Sequence, residues 1–146
     1  MERFTEDIWV DGNHFGEVMT ILDWLCDSDA MRCISGNWVS MADLARGIHS
    51  KLQEGNSAAA RQFSENAQCF EKACLALKGK AFDSADISYA VELMDGLQVR
   101  LQLWHGDEEF APRLHLLWDA NTLQYIRYET TWFAAGLLID RILSLM

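Results

Sequence analysis

The sequence predicts an α+β fold: a small antiparallel meander of three or four strands with helices packed on one face, formed by residues 1–146 as a single domain. Three observations carry this expectation. Apolar residues keep helical spacing through the first half of the chain and stop doing so near Gly79. From Ile87 the period falls to two. The dipeptide Asp95-Gly96, between two alternating runs, is a strong hairpin signal.

Asn13 is placed to cap a first helix through "HFGEVMTILDWLCDS". In it Phe15, Val18, Met19, Leu22 and Leu25 form one apolar stripe, expected to face the core. "CISGNWVS" follows as a short extended piece with a Gly-Asn turn signal. "SMADLARGIHSKL" opens with Ser40 and Asp43 at capping-box spacing, Asp standing where Glu or Gln is usual. Its buried face would be Met41, Leu44, Ala45, Ile48 and Leu52, with Gly55 and Asn56 ending it. A third helix is expected in "SAAARQFSENAQCFEKACLALKG", where Ala59, Phe63, Ala67, Phe70, Cys74 and Leu77 keep the period and Gly79 is the stop.

Three strands follow as Ile87–Leu93, Leu97–Trp104 and Arg113–Trp118. "LQVRLQLW" sets Leu97, Val99, Leu101 and Leu103 against Gln98, Arg100, Gln102 and Trp104, so Leu101 should be inside and Gln102 on a tolerant second face. The last segment is helical from about Thr130, and Phe133, Leu137, Ile139, Ile142 and Leu143 would cover the sheet.

A folded chain of this mass exposes about 7,600 Å² against about 24,000 Å² extended, so roughly two-thirds of its surface is hidden and a core needs no staples. The formal charge of −10 opposes docking on nucleic-acid phosphates or on anionic membranes, so neither partner is expected. "MERFTEDIWV" has no basic segment leading into an apolar one, and no apolar run reaches spanning length; the expected location is the cytoplasm. Cys26, Cys33, Cys69 and Cys74 form no Cys-x-x-Cys pair and are expected to be reduced, partly buried thiols.

The most unusual stretch is "LQLWHGDEEFAPRLHLLWD", two alternating runs flanking three acids. Trp104 lies on the polar side of its strand with Arg100 and Gln102, and Trp38 and Trp118 are candidates to lie near it; exposed aromatics beside Arg are enriched at interfaces, while the heavier alternative is that another helix covers this face and these tryptophans are core. The loop Asp107, Glu108, Glu109 and Phe110 adjoins it. Asp119 closes the third strand, about 20 Å from the loop at six steps of ~3.3 Å. With Glu129 near the start of the last helix, Trp104, Asp107, Glu109, Phe110 and Asp119 make up the candidate binding residues. That spread disfavours a four-carboxylate metal centre, so neither a metal nor another cofactor is expected. No phosphate loop or nucleophile elbow is present, and His14, His49, His105 and His115 are scattered, so no catalytic residue is assigned.

The run from Leu97 to Thr130 resembles the C-terminal part of the prokaryotic family known as Domain of Unknown Function 3786. The likeness rests on Trp104, Gly106, Asp107, Glu109, Phe110, Asp119 and Glu129, with Asp86 upstream and Trp38, Val39 and Ser40 in "W-V-S". It extends from about Ile21. "ELMDGLQV" departs from the family pattern in lacking Pro, and the cysteine-rich iron–sulfur segment of some relatives is missing here, which argues against a cluster-linked role. The resemblance implies a recurring cytoplasmic domain of anaerobic and environmental prokaryotes and brings no established activity with it.

The leading expectation is therefore a non-enzymatic binding or accessory domain for a protein or small ligand, with a homo-oligomer compatible with it. The alternatives are a metal-dependent enzyme using Asp107 and Glu109, and an acidic inhibitor or nucleic-acid mimic, which the charge allows and the scatter of the acids does not favour.

Overall fold

The computed structural model describes residues 14–44 and 57–146. Its elements in chain order are α1 (Phe15–Asp27), β1 (Trp38–Ser40), α2 (Met41–Leu44), α3 (Ser57–Glu65), α4 (Ala67–Ala76), β2 (Lys80–Ala81), β3 (Ile87–Met94), β4 (Leu97–Trp104), β5 (Arg113–Asp119), a 3₁₀ turn (Thr122–Gln124) and α5 (Tyr128–Leu145). The fold is α+β, as the change of period predicts. The sheet has five strands, not three or four, in the order β1-β5-β4-β3-β2, antiparallel throughout. The two extra strands are its edges, three and two residues long, too short to show a period of their own.

The β3–β4 hairpin turns at Asp95 (φ 49°) and Gly96 (φ 78°), both left-handed, as a two-residue turn matching the strand twist requires. Its register sets Tyr89 opposite Leu101 and Val91 opposite Val99; β5 continues the row with Leu116 and Trp118. Val99, Leu101, Leu103 and Trp118 are fully buried in one core with Phe63 of α3 and Phe70 and Cys74 of α4. Each Val, Leu or Phe among them contributes about 1.5–3 kcal/mol on burial.

The predicted third helix is two. Asn66, with φ −121° and ψ 44°, interrupts it, and its side-chain amide donates to the Gln62 carbonyl at 3.1 Å. The break lets Phe63 and Phe70 stack with centroids 4.5 Å apart. At the end of α4 it is Lys78 that takes the left-handed conformation (φ 60°), while Gly79 is needed for space: a Cβ there would lie 2.7 Å from the Cys74 carbonyl oxygen. The capping box at α2 is present, Asp43 N–H donating to Ser40 Oγ at 3.2 Å and Ser40 N–H to Asp43 Oδ2 at 3.3 Å. The cap at Asn13, the buried face at Ala45, Ile48 and Leu52, and the stop at Gly55 and Asn56 lie outside the described residues.

Helix α1 reverses the expected orientation. Its buried residues are Thr20 and Asp23, whereas Phe15, Met19, Leu22 and Leu25 of the apolar stripe are exposed, Leu25 at 64%. The cause is the start of α5. Arg127, its N-terminal flanking residue, supplies no cap of its own, and Asp23 Oδ2 accepts the Arg127 amide at 2.7 Å while Oδ1 accepts Arg127 Nε at 2.9 Å. A carboxylate is favoured at a helix N-terminus, and α1 turns its polar side inward to provide one. Burial pushes the Asp23 pKa up, and the Arg127 amide, Thr130 and the Arg127 charge reverse this to leave it below the ordinary carboxylate value.

Helix α5 also presents an unexpected side. Ala134, Ala135, Leu138, Ile139 and Ile142 are buried, but Phe133 is 38% exposed and meets Phe15 edge-on at 5.5 Å. All four cysteines are free thiols; Cys26 and Cys33 are exposed, not partly buried as expected, and burial pushes the Cys74 thiol up to about 12.

Candidate functional site

The second face of the sheet is built by alternation. Gln98, Arg100, Gln102 and Trp104 of β4 stand beside Arg113, His115, Leu117 and Asp119 of β5, and β1 adds Trp38 opposite Asp119. No polar stripe open to water results. Gln102 is 7% exposed and its amide donates to Ser84 Oγ, because the loop between β2 and β3 lies across it. The tolerant position expected at Gln102 is thus a covered one. Trp118 is on the opposite, dry face, so of the two tryptophans expected near Trp104 only Trp38 shares its side.

Two aromatic arrangements occupy this face. Trp104 meets His115 edge-on at 4.9 Å. The Arg100 guanidinium lies over the Trp38 ring at 4.1 Å and over the Phe82 ring at 4.7 Å. Arg100 Nε is buried and has no hydrogen-bond partner, and neither has Ser88 Oγ on β3. Ser88 pairs with Gln102 and Ala90 with Arg100, so Ser88 and Arg100 are diagonal neighbours on one face.

The acidic loop is exposed, as expected, but it is organised. Asp107 Oδ1 accepts the Glu109 and Phe110 amides at 2.8 and 2.7 Å, and the Asp107 amide donates to the Phe110 carbonyl at 2.9 Å. The Phe110 and Glu109 amides hold the Asp107 carboxyl below its ordinary range. Gly106 permits the turn, since a Cβ there would lie 2.6 Å from Pro112 Cδ. His105 fastens the loop to its neighbours: its amide donates to Asp86 Oδ2 at 2.8 Å and its Nδ1 meets Ser64 Oγ at 2.8 Å. Phe110 stands 63% exposed at the tip.

Asp119 is at the other end of β5 and fully buried. Its Oδ1 accepts Ser35 N–H, Ser35 Oγ–H and Asn121 N–H at 3.0, 2.9 and 2.8 Å, and its Oδ2 accepts Gly36 N–H at 2.9 Å. Burial pushes its pKa up; the amides of Asn121, Ser35 and Gly36 outweigh this and leave the carboxyl below its usual value. Both oxygens hold the 33–37 segment against the sheet. Glu129 is exposed in the first turn of α5. The structure therefore gathers Trp104, Asp107, Glu109 and Phe110 at one end of β4–β5 and leaves Asp119 and Glu129 elsewhere.

A cleft of about 400 Å³ adjoins this face between α4 and the β2–β3 loop, lined in part by Glu71, Phe82, Asp83, Asp86 and Ser88. Among the described residues no three metal-binding side chains come together, and no described helix is long and apolar enough to cross a membrane. The sequence reading missed the Trp38–Arg100–Phe82 stack. Alternation placed Arg100 beside Trp104, but Trp38 and Phe82 reach it through an edge pairing and a loop that carry no local signal.

Fold and site together define an α+β domain on a five-stranded antiparallel sheet, one face apolar and the other carrying an aromatic-flanked arginine. The chain belongs to the family described as Domain of unknown function (DUF3786), whose model matches residues 5–141. Comparison with curated proteins and comparison with solved structures each returned no match.

Proposed function

We propose that this chain is a non-enzymatic binding or accessory domain, and that the second face of its sheet, with the acidic loop at its rim, takes a small ligand or a partner. The observation supporting this reading is the Trp38–Arg100–Phe82 stack. Rigid aromatics around an arginine are a composition enriched in binding hot spots. Trp104, Asp107, Glu109 and Phe110 form the rim in this reading. Asp119 shapes the far end by holding the 33–37 segment, and Glu129 stands apart. Asp107 commits one oxygen to its own loop, which favours a contact loop over the metal-dependent enzyme of the alternative reading.

The exposed thiols Cys26 and Cys33 suit a cytoplasmic, reducing setting, and a homo-oligomer would use the apolar outer face of α1. The test is a fragment screen on ¹⁵N-labelled protein read by NMR. Shifts concentrated on β4, β5 and the 105–112 loop are expected. Hits confined to other surfaces, or none from a broad library, would overturn the proposal.

A further inference from the structure

We infer that Arg100 is the anchor for an anionic group, the oxygens of a carboxylate or phosphate, entering edge-on between Trp38 and Phe82. This inference rests on the binding face proposed above and names the ligand chemistry that face would take. Its guanidinium carbon is 4.1 Å from the Trp38 ring centroid and 4.7 Å from that of Phe82, and such cation–π contact leaves the in-plane N–H donors unused. Those donors form a planar fork that matches two oxygens of a carboxylate or phosphate.

The other cations of the described residues that face carboxylates show what Arg100 lacks. Arg32 pairs with Asp95 at 2.6 Å, Arg127 with Asp23 at 2.9 Å and Arg141 with Glu17 at 3.6 Å. Arg100 Nε has no hydrogen-bond partner and no carboxylate is paired with its side chain among the described residues, in a chain with 22 acids and 12 bases. The acid placed in register beside Trp38 is Asp119, and both of its oxygens are occupied by Ser35, Gly36 and Asn121. A half-buried guanidinium without an acceptor is costly, and cation–π contact offsets this without satisfying its in-plane donors.

A second group points the same way. Ser88 is 4% exposed, its hydroxyl has no partner, and it lies diagonal to Arg100 on the same face. One bound anion could accept from both, with Phe82 and the 82–86 loop as the gate. The net charge of −10 works against bulk anions, so retention has to come from this short-range fit and not from the field of the protein.

The experiment follows the Arg100 Nε–Hε and Trp38 indole N–H signals of the full chain by NMR. It is titrated with sodium phosphate, sodium acetate and, at matched ionic strength, sodium chloride. The expected result is a saturable shift of both signals with phosphate or acetate and none with chloride. Preference for phosphate would identify a phosphoryl-bearing ligand, preference for acetate a carboxylate-bearing one. Arg100→Lys, which keeps the charge and loses the fork, should weaken binding about tenfold. Arg100→Met should remove it, and circular dichroism checks that the variant folds.

Equal, unsaturable shifts with all three salts, or unchanged affinity in Arg100→Lys, would overturn the inference and leave an ordered water as the partner of Arg100 and Ser88. If neither anion binds while neutral fragments still shift Trp104 and His115, the anion site falls and the binding face stands.

Discussion

Replacing Asp119 is the sharpest test of how the far end of the sheet is held. Three backbone amides and one hydroxyl donate to a carboxylate that is fully buried. Asp119→Asn can keep its carbonyl oxygen where Oδ1 sits, retaining Ser35 and Asn121, but it then turns an NH₂ group toward the Gly36 amide. One amide loses a charged acceptor and faces a donor, a cost of about 1.5–3 kcal/mol. Asp119→Ala strands all three amides. Their simple sum overshoots, because the 33–37 segment would relax and admit water, so about 3–5 kcal/mol is expected.

Urea denaturation at neutral pH should rank the proteins parent, Asn, Ala in falling stability. The pH dependence has a fixed sign. The folded pKa is depressed, so the stabilisation is complete above the unfolded value of about 3.9 and is lost as pH falls through the lower folded value. The gap between parent and Asp119→Asn should therefore close below about pH 4. Equal midpoints for all three proteins, or a gap that widens in acid, would refute the role assigned to Asp119.

Leu101→Asp should unfold the domain or cost several kcal/mol, and Gln102→Asp should also cost more than a surface change, because Gln102 is buried against Ser84; a denaturant midpoint for Gln102→Asp equal to the parent's would show that the 82–86 loop does not cover it. Leu22→Ser and Leu25→Ser should each stay within about 0.5 kcal/mol of the parent while Asp23→Ala costs about 1–3 kcal/mol, and the reverse order in thermal melts would restore the apolar stripe of α1 to the core. Gly106→Ala should cost about 1–3 kcal/mol through the clash with Pro112 and Phe110, read by calorimetry, and a neutral result would mean that the loop refolds freely. In the acidic loop, Glu108→Gln and Glu109→Gln should leave Tm unchanged and Asp107→Asn should lower it; a Tm rise on adding Ca²⁺, Mg²⁺ or Mn²⁺ to the parent, absent when all three substitutions are combined, would instead support a metal site.

The sequence by itself determined the features that depend on near neighbours in the chain. Alternation in "LQVRLQLW" settled which β4 residues meet the core, since successive side chains must leave opposite faces of a strand. Asp95-Gly96 settled the hairpin, because two consecutive left-handed residues are tolerated at few other dipeptides. Ser40 and Asp43 marked a helix start through contacts three residues apart. The acidic tip was legible as exposed, since three adjacent acids favour water.

Tertiary structure decided the rest. β1 pairs with β5 across about eighty residues of chain, a long-range choice that a three-residue strand cannot announce. The apolar stripe of α1 pointed to the core, yet the helix turned Asp23 inward, because the N-terminus of α5 needed an acceptor over a hundred residues away. Phe82 and Trp38 reached Arg100 by the same kind of distant closure. Periodicity reports how amphipathic a segment is; which neighbour its faces meet depends on where the remaining buried donors and acceptors find partners, and that is fixed only when the whole chain is assembled.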